Sequence, residues 1–304
     1  MAVLELPTDR RLHIERYARG ALVAAQALGK TPTPLEDVTA ALELHQPEDL
    51  YALGDEVPPS LLARFPKLMG KLLGALDVRR KTIYIDMSLE VPRRRFTHGH
   101  ELGHEGLPWH RDAYYGEDKT TLRLDTLDEL EAEANAFSAA LLFNLDRFTE
   151  QAHSVQPSLA VPVDLADVYQ ASRHASIRRY VEAAHDDLAL FTLGKYTNHP
   201  GGRTCMVVLQ TLESATFRAK FGAIAGCVPS RIPIDSSEIA RDAHSVLSGN
   251  PSGPIIAGQT VLDTPTRGRV RMDYEIYFNR RQFFVLVMPT KIRIFKQRIN
   301  AGWA

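Results

Sequence analysis

The sequence predicts an α+β protein with a mostly helical N-terminal part containing a short strand region, a helix-turn-helix-like segment, and a C-terminal mixed α/β half. Three observations predict it. Apolar residues recur at helical spacing in residues 8–28 and again in 127–143. Two short runs rich in β-formers interrupt the helices at 75–89. From about Leu188 onward, strand-like runs take over. A chain of 304 residues, 44% hydrophobic and 24% charged, is long enough for two or three domains with sizeable cores. The expected divisions are 1–150, 151–187 and 188–304.

The elements follow in order. "LHIERYARGALVAAQAL" reads as a helix and "GKTPTP" (29–34) ends it. "LEDVTAALEL" begins a second helix, and 59–72 reads as a third, interrupted by Pro66. "ALDVRR" and "KTIYIDMSL" are two strands around a charged turn, with Ile83, Tyr84 and Ile85 supplying the β-propensity. Pro92 suits a helix start, and Gly106 with Pro108 suits its end. A spacer through "YYGEDKTTLRLDT" leads to the helix "LDELEAEANAFSAALLF" (127–143). "HSVQPSLAVP" (153–162) reads as a linker, and 163–184 as two short helices around "ASRHAS". In the C-terminal half, "LALFTLG", "TCMVVLQ", "VRMDYEIYF" and "QFFVLVMP" read as strands, "NRR" (279–281) as a hairpin turn and 236–249 as a helix.

The stretch "RRRFTHGHELGHEGLPWH" (93–110) carries the chemistry. His100-Glu101-Leu102-Gly103-His104 is an HExxH pattern, and two imidazoles four apart on a helix share one face. Such a pair can hold zinc, which lowers the pKa of a water it carries to about 7, with Glu101 placed as general base. A third protein ligand is needed. His110 sits where HExxHxxGxxH proteins place a third histidine, but position 107 is leucine and Gly106 is one residue off. The alternative is a carboxylate from a second helix, the gluzincin arrangement, with Glu129, Glu131 and Glu133 competing. Glu131 is favoured because Asn135 lies one turn later, where it can orient a ligand histidine. Glu133 comes next and His110 third, and the glutamates that do not bind metal are expected on a solvated face. His98 faces away from the pair and is expected to be exposed or to support the site from behind. Arg93, Arg94 and Arg95 read as a solvated patch.

Taken together, "KTIYIDMSL…RRRFTHGHELGHE" and "ELEAEANAFSAALL" resemble the ImmA/IrrE family of bacterial metalloproteases, with Ser138 where the family usually has alanine. The resemblance is specific across 81–142, and the three-part layout is similar to the radiation-response members from deinococci. It implies a zinc peptidase domain, a helix-turn-helix-like segment and a C-terminal GAF-like domain. It also implies His100, His104 and Glu131 as zinc ligands and Glu101 as general base. The implied activity is site-specific cleavage of a helix-turn-helix repressor, inducing DNA-damage or other stress genes. Zinc is the expected metal, with manganese or iron as substitutes.

The rest of the chain bounds the partners. A net charge of −1 advertises no nucleic-acid binding. Arg173, Arg178 and Arg179 could still give the 163–184 helices a basic face, so the alternative function is a DNA-binding regulator with a vestigial peptidase site. "LGKYTNHPGGR" and "SGNPSGP" are loop-rich and could border a small-molecule pocket. The two cysteines, Cys205 and Cys227, are expected to be small hydrophobes in a reducing compartment. No signal core or run of about eighteen apolar residues is visible, so the expectation is a cytoplasmic protein without a membrane partner.

Overall fold

The computed structural model describes residues 6–51, 73–116, 124–198, 204–248 and 255–290. The helix expected over 59–72 lies outside them. By its contacts the chain forms two compact units, one of 1–155 with 161–176, the other of 156–160 with 177–304.

The first unit begins with α1 (Thr8–Ala24), which buries Ile14, Ala18, Ala21 and Leu22 along one stripe. The helix stops short of residue 28 because Gln26 turns left-handed, at φ 52°. Helix α2 (Leu35–Ala41) follows, then strand β1 (His45–Asp49). Strand β1 carries no local signal: "HQPED" is polar, contains Pro47 and, among the described residues, sits at a sheet edge, where a missing N–H is tolerated. Strands β2 (Gly74–Asp77) and β3 (Thr82–Ile85) are buried throughout and pair antiparallel, Gly74 opposite Ile85 and Asp77 opposite Thr82. Asp77 Oδ1 closes their turn by accepting from the backbone N–H groups of Arg79 and Arg80. Strand β1 joins β3 in parallel, so the order is β1-β3-β2.

Helix α3 (Val91–Gly106) starts with proline in its first turn, as the sequence suggested. The expected spacer instead opens with a further helix, α4 (Pro108–Gly116). Helix α5 (Leu124–Leu142) packs along α3. Their close approach depends on three glycines one helix turn apart. A Cβ on Gly99 would lie 2.6 Å from Ser138 Oγ, one on Gly103 would lie 3.1 Å from the Ala134 backbone, and one on Gly106 would lie 2.7 Å from the Phe137 ring. Ser138 is accommodated by donating to the Phe96 carbonyl at 2.9 Å. Past the end of α5, buried Asn144 accepts from Gly29 N and donates to Ala27 O, Lys30 O and Thr33 Oγ1, pinning the loop after α1.

Helices α6 (Arg147–Ala152) and α7 (Ala160–Tyr169) follow, then α8 (Arg173–Glu182), the last two being the helix pair expected in 163–184. Ala166, Tyr169, Ile177 and Val181 are buried, and Val168 is exposed. The supposed linker is structured: Leu159 is fully buried, and its N–H and the Ser158 hydroxyl both donate to Glu275.

The second unit is an antiparallel six-stranded sheet in the order β6-β5-β4-β9-β8-β7. Its strands are β4 (Ala189–Asn198), β5 (Thr204–Glu213), β6 (Arg231–Pro233), β7 (Ile256–Thr264), β8 (Gly268–Phe278) and β9 (Phe283–Pro289). Alternate residues Phe191, Leu193, Phe283, Val285 and Val287 enter a core with α9 (Ala215–Phe221) and α10 (Glu238–Ser248). The "NRR" turn joins β8 to β9, with Arg280 at φ 71° and Asn279 Oδ1 accepting from the next two N–H groups but one, those of Arg281 and Gln282. The first half of the supposed loop "LGKYTNHPGGR" belongs to β4, and β7 and α9 were not foreseen. Cys205 and Cys227 are both free thiols, the first buried and the second half-buried. Among the described residues no helix is long and apolar enough to cross a membrane.

Candidate metal centre

Helix α3 is buried on most of its circumference although its sequence is polar: Thr97, His98, Glu101, His104 and Glu105 are all buried. Polar groups taken from water need partners, and those partners define the site. His98 points away from the histidine pair, as its position implied. It is buried rather than exposed, with Nε2 2.8 Å from Thr39 Oγ1. Burial pushes its pKa down to about 4, against the opposing charge of Glu36 and with help from Arg95. Arg94 and Arg95 donate to the carbonyls of Met87 and Thr33, so they tie the helix to its surroundings rather than forming a solvated patch. Arg93 is exposed.

His100, His104 and Glu131 bring one ligand atom each to a common point, all within 4.8 Å of one another. His100 Nε2 is 3.1 Å from His104 Nε2, Glu131 Oε2 is 3.1 Å from His100 Nε2, and Glu131 Oε1 is 3.5 Å from His104 Nε2. A tetrahedral ion with bonds of roughly 2.0–2.1 Å separates neighbouring ligand atoms by about 3.3 Å. The three edges bracket that value, and two imidazoles with a carboxylate are a donor set suited to zinc and related divalent ions. The local electrostatics also favour a cation. Burial opposes charge on His100, but its hydrogen bond to Glu131 and the charges of Glu101 and Glu131 outweigh this, so its pKa is raised.

The third-ligand candidates take distinct places. Glu131 faces both imidazoles, with its side chain half exposed. Glu129 is exposed, on the solvated face expected of a spare glutamate. Glu133 departs from that expectation: it is buried because His110, Trp109 and Arg10 all donate to its carboxylate. Burial alone would raise its pKa, but these three donors outweigh it and hold the carboxyl down at about 2. His110 is fully buried, lying 3.0 Å from His104 through its Nδ1 and 2.9 Å from Glu133 through Nε2. Asn135 Oδ1 accepts from His100 Nδ1 at 3.0 Å. Each of the two histidines is thus held at Nδ1, leaving Nε2 directed at the common point.

Glu101 is buried beside the first histidine and leans toward β2: a Cβ on Gly74 would lie 3.3 Å from its Oε1. Among the described residues β2 is a sheet edge. Arg10 and Trp109 were not singled out in the sequence. Arg10 lies 123 positions from Glu133, and no local pattern announces it. Trp109 had a cue, its place beside His110.

Comparison with known proteins adds the following. Residues 61–180 match the family model of the IrrE N-terminal-like domain, Peptidase_M78. No curated protein matches the chain. Among solved structures, a Mycobacterium tuberculosis transcriptional regulator is similar at 13% identity and a TM-score of 0.47, over 98% of this chain and 94% of that one. The residues matched, 61–180, are the span that holds His100, His104 and Glu131.

Proposed function

We propose that the protein is a zinc-dependent endopeptidase that cuts a helix-turn-helix transcriptional repressor at a specific site and so induces DNA-damage genes. The observation that carries the peptidase reading is the convergence of His100, His104 and Glu131, with Glu101 on the same helix as the two histidines. His100, His104 and Glu131 would hold the ion, which would supply Lewis acidity to the substrate carbonyl and to the attacking water. Glu101 accepts the proton of the attacking water on its carboxylate and returns it to the leaving amine. Its burial keeps competing solvent away, while the half-exposed side chain of Glu131 marks the open flank where a substrate enters. An extended peptide laid along the edge of β2 would reach Glu101, a mode in which main-chain pairing holds the substrate.

The M78 family match supports peptidase chemistry; the repressor as substrate rests on the ImmA/IrrE resemblance. The DNA-binding alternative finds less support in the helices meant to carry it. Arg178 is tied to Glu182 at 2.7 Å, and Arg173 lies 3.4 Å from Asp167, which reduces the positive charge those helices offer a phosphate backbone. For the C-terminal unit, the antiparallel sheet with a helix-covered core is compatible with a GAF-like sensor that takes a small molecule. The test is incubation with helix-turn-helix repressors encoded by the same genome, with and without chelator, read by mass spectrometry of the fragments. Cleavage at one bond that chelator abolishes, and that Glu101→Gln abolishes without loss of metal, is the expected result. Cleavage by Glu101→Gln at the wild-type rate would overturn the mechanism.

A further inference from the structure

Behind the candidate metal centre a chain of polar groups leads from His104 to residues that the proposed chemistry does not use. His104 Nδ1 faces His110 Nδ1 at 3.0 Å, and His110 Nε2 faces Glu133 Oε2 at 2.9 Å. Trp109 Nε1 donates to the same oxygen at 2.6 Å, and Arg10 Nε donates to the other. The Arg10 guanidinium also stacks over the Trp109 ring, 4.4 Å from its centre. His104, His110 and Glu133 are 1%, 0% and 4% exposed, so solvent does not offer substitute partners.

The proton positions follow from what each group can do. An ionised carboxylate only accepts, so His110 must carry its proton on Nε2. A neutral His110 then presents a bare Nδ1, and His104 must place its own proton on Nδ1 to meet it. That leaves the lone pair of His104 on Nε2, the atom grouped with His100 and Glu131. We infer that Glu133 and His110 are positioning residues that set the tautomer of His104 through a two-step relay, anchored by Arg10 and Trp109. The arrangement explains why a histidine and a glutamate beside the cluster do not join it. It also links α1, through Arg10, to the ligand geometry on α3. His100 receives the equivalent support in one step, from Asn135.

This inference rests on reading His104 as a ligand, but its first test does not use activity. In ¹⁵N-histidine-labelled, metal-free protein above the histidine titration range, NMR is expected to show His104 protonated on Nδ1 and His110 on Nε2. His110→Phe removes the acceptor and is expected to shift His104 toward the Nε2–H form. Competition with a chromogenic chelator should then show zinc affinity about 10–100-fold lower. His110→Gln restores an acceptor and should recover most of that loss, which a merely space-filling role for His110 would not predict. Circular dichroism of each variant identifies any that fail to fold; if His110→Phe does, the wild-type tautomers and the affinity of His110→Gln still decide. The relay is overturned if wild-type His104 carries its proton on Nε2, or if His110→Phe keeps both the tautomer and the zinc affinity of the wild type. Failure of repressor cleavage alongside the expected tautomers would instead count against the peptidase reading and leave the relay standing.

Discussion

Substituting Gly103 by alanine tests how strictly the packing of α3 on α5 sets the metal centre. In a helix interior the change should stabilise by roughly 1 kcal/mol, because alanine gives up less backbone freedom on folding. Gly20, in the middle of α1, isolates that gain, since a Cβ there meets nothing within 4 Å. At Gly103 the new Cβ would lie 3.1 Å from both the Cα and the carbonyl oxygen of Ala134 and 3.2 Å from Phe137 Cβ. None of these atoms can rotate aside, so the helices must separate by a few tenths of an ångström, and overpacking of this kind costs about 1–3 kcal/mol. Gly20→Ala should therefore be more stable than the wild type by up to about 1 kcal/mol, and Gly103→Ala should fall below Gly20→Ala by about 1–3 kcal/mol. Because Glu131 rides on α5 and both histidines ride on α3, the same separation should weaken zinc binding in Gly103→Ala alone. Chemical denaturation of the metal-free proteins reads the first effect and chelator competition the second. Equal stabilisation of both variants with unchanged zinc affinity would refute the reasoning.

Other predictions follow from buried polar groups. His98 has a pKa of about 4 when folded, below its ordinary value of 6.5, so its contribution is present above pH 6.5 and is lost as pH falls toward 4. Over that window metal-free wild-type protein should lose about 3 kcal/mol more stability than His98→Gln, measured by urea denaturation at each pH; parallel curves would contradict it. Asn144→Ala removes one accepted hydrogen bond and the two N–H donors shared among three acceptors at a buried site, and places alanine at a left-handed position, φ 49°. It should cost about 3 kcal/mol, and Asn144→Gly about 1 kcal/mol less because the backbone strain is relieved. Glu131→Ala should lower zinc affinity more than Glu129→Ala does, measured by the same chelator competition; equal effects would remove Glu131 from the ligand set.

What the sequence revealed depended on where the signal was stored. Helix α3 was legible through its histidine spacing and its terminal proline and glycine, not through an apolar stripe, because most of its sides are buried. Strand β3 was legible because "TIYI" is strongly β-forming, whereas β1 was not, since "HQPED" has no alternation and owes its strand to pairing with β3. Helix α4 was hidden because it begins two residues after a glycine stop, where a loop is the natural reading. Strand β7 contains Gly258, which looks like a loop residue. In the fold it leaves room for the Tyr274 ring, whose hydroxyl donates to Asp242. At the site, Glu131 and Asn135 could be picked out by helical spacing from each other. The surroundings of Glu133 could not, because its partners come from α1 and α4 and only the tertiary fold brings them together.

The central claim is that one ion is held by His100, His104 and Glu131. Crystals of zinc-loaded protein, measured on both sides of the zinc absorption edge, test it most directly. The account predicts a single anomalous peak about 2.0–2.2 Å from His100 Nε2, His104 Nε2 and a Glu131 oxygen, with His110 still bonded to Glu133. A peak ligated by His110 or Glu133, or no peak between α3 and α5, would contradict it.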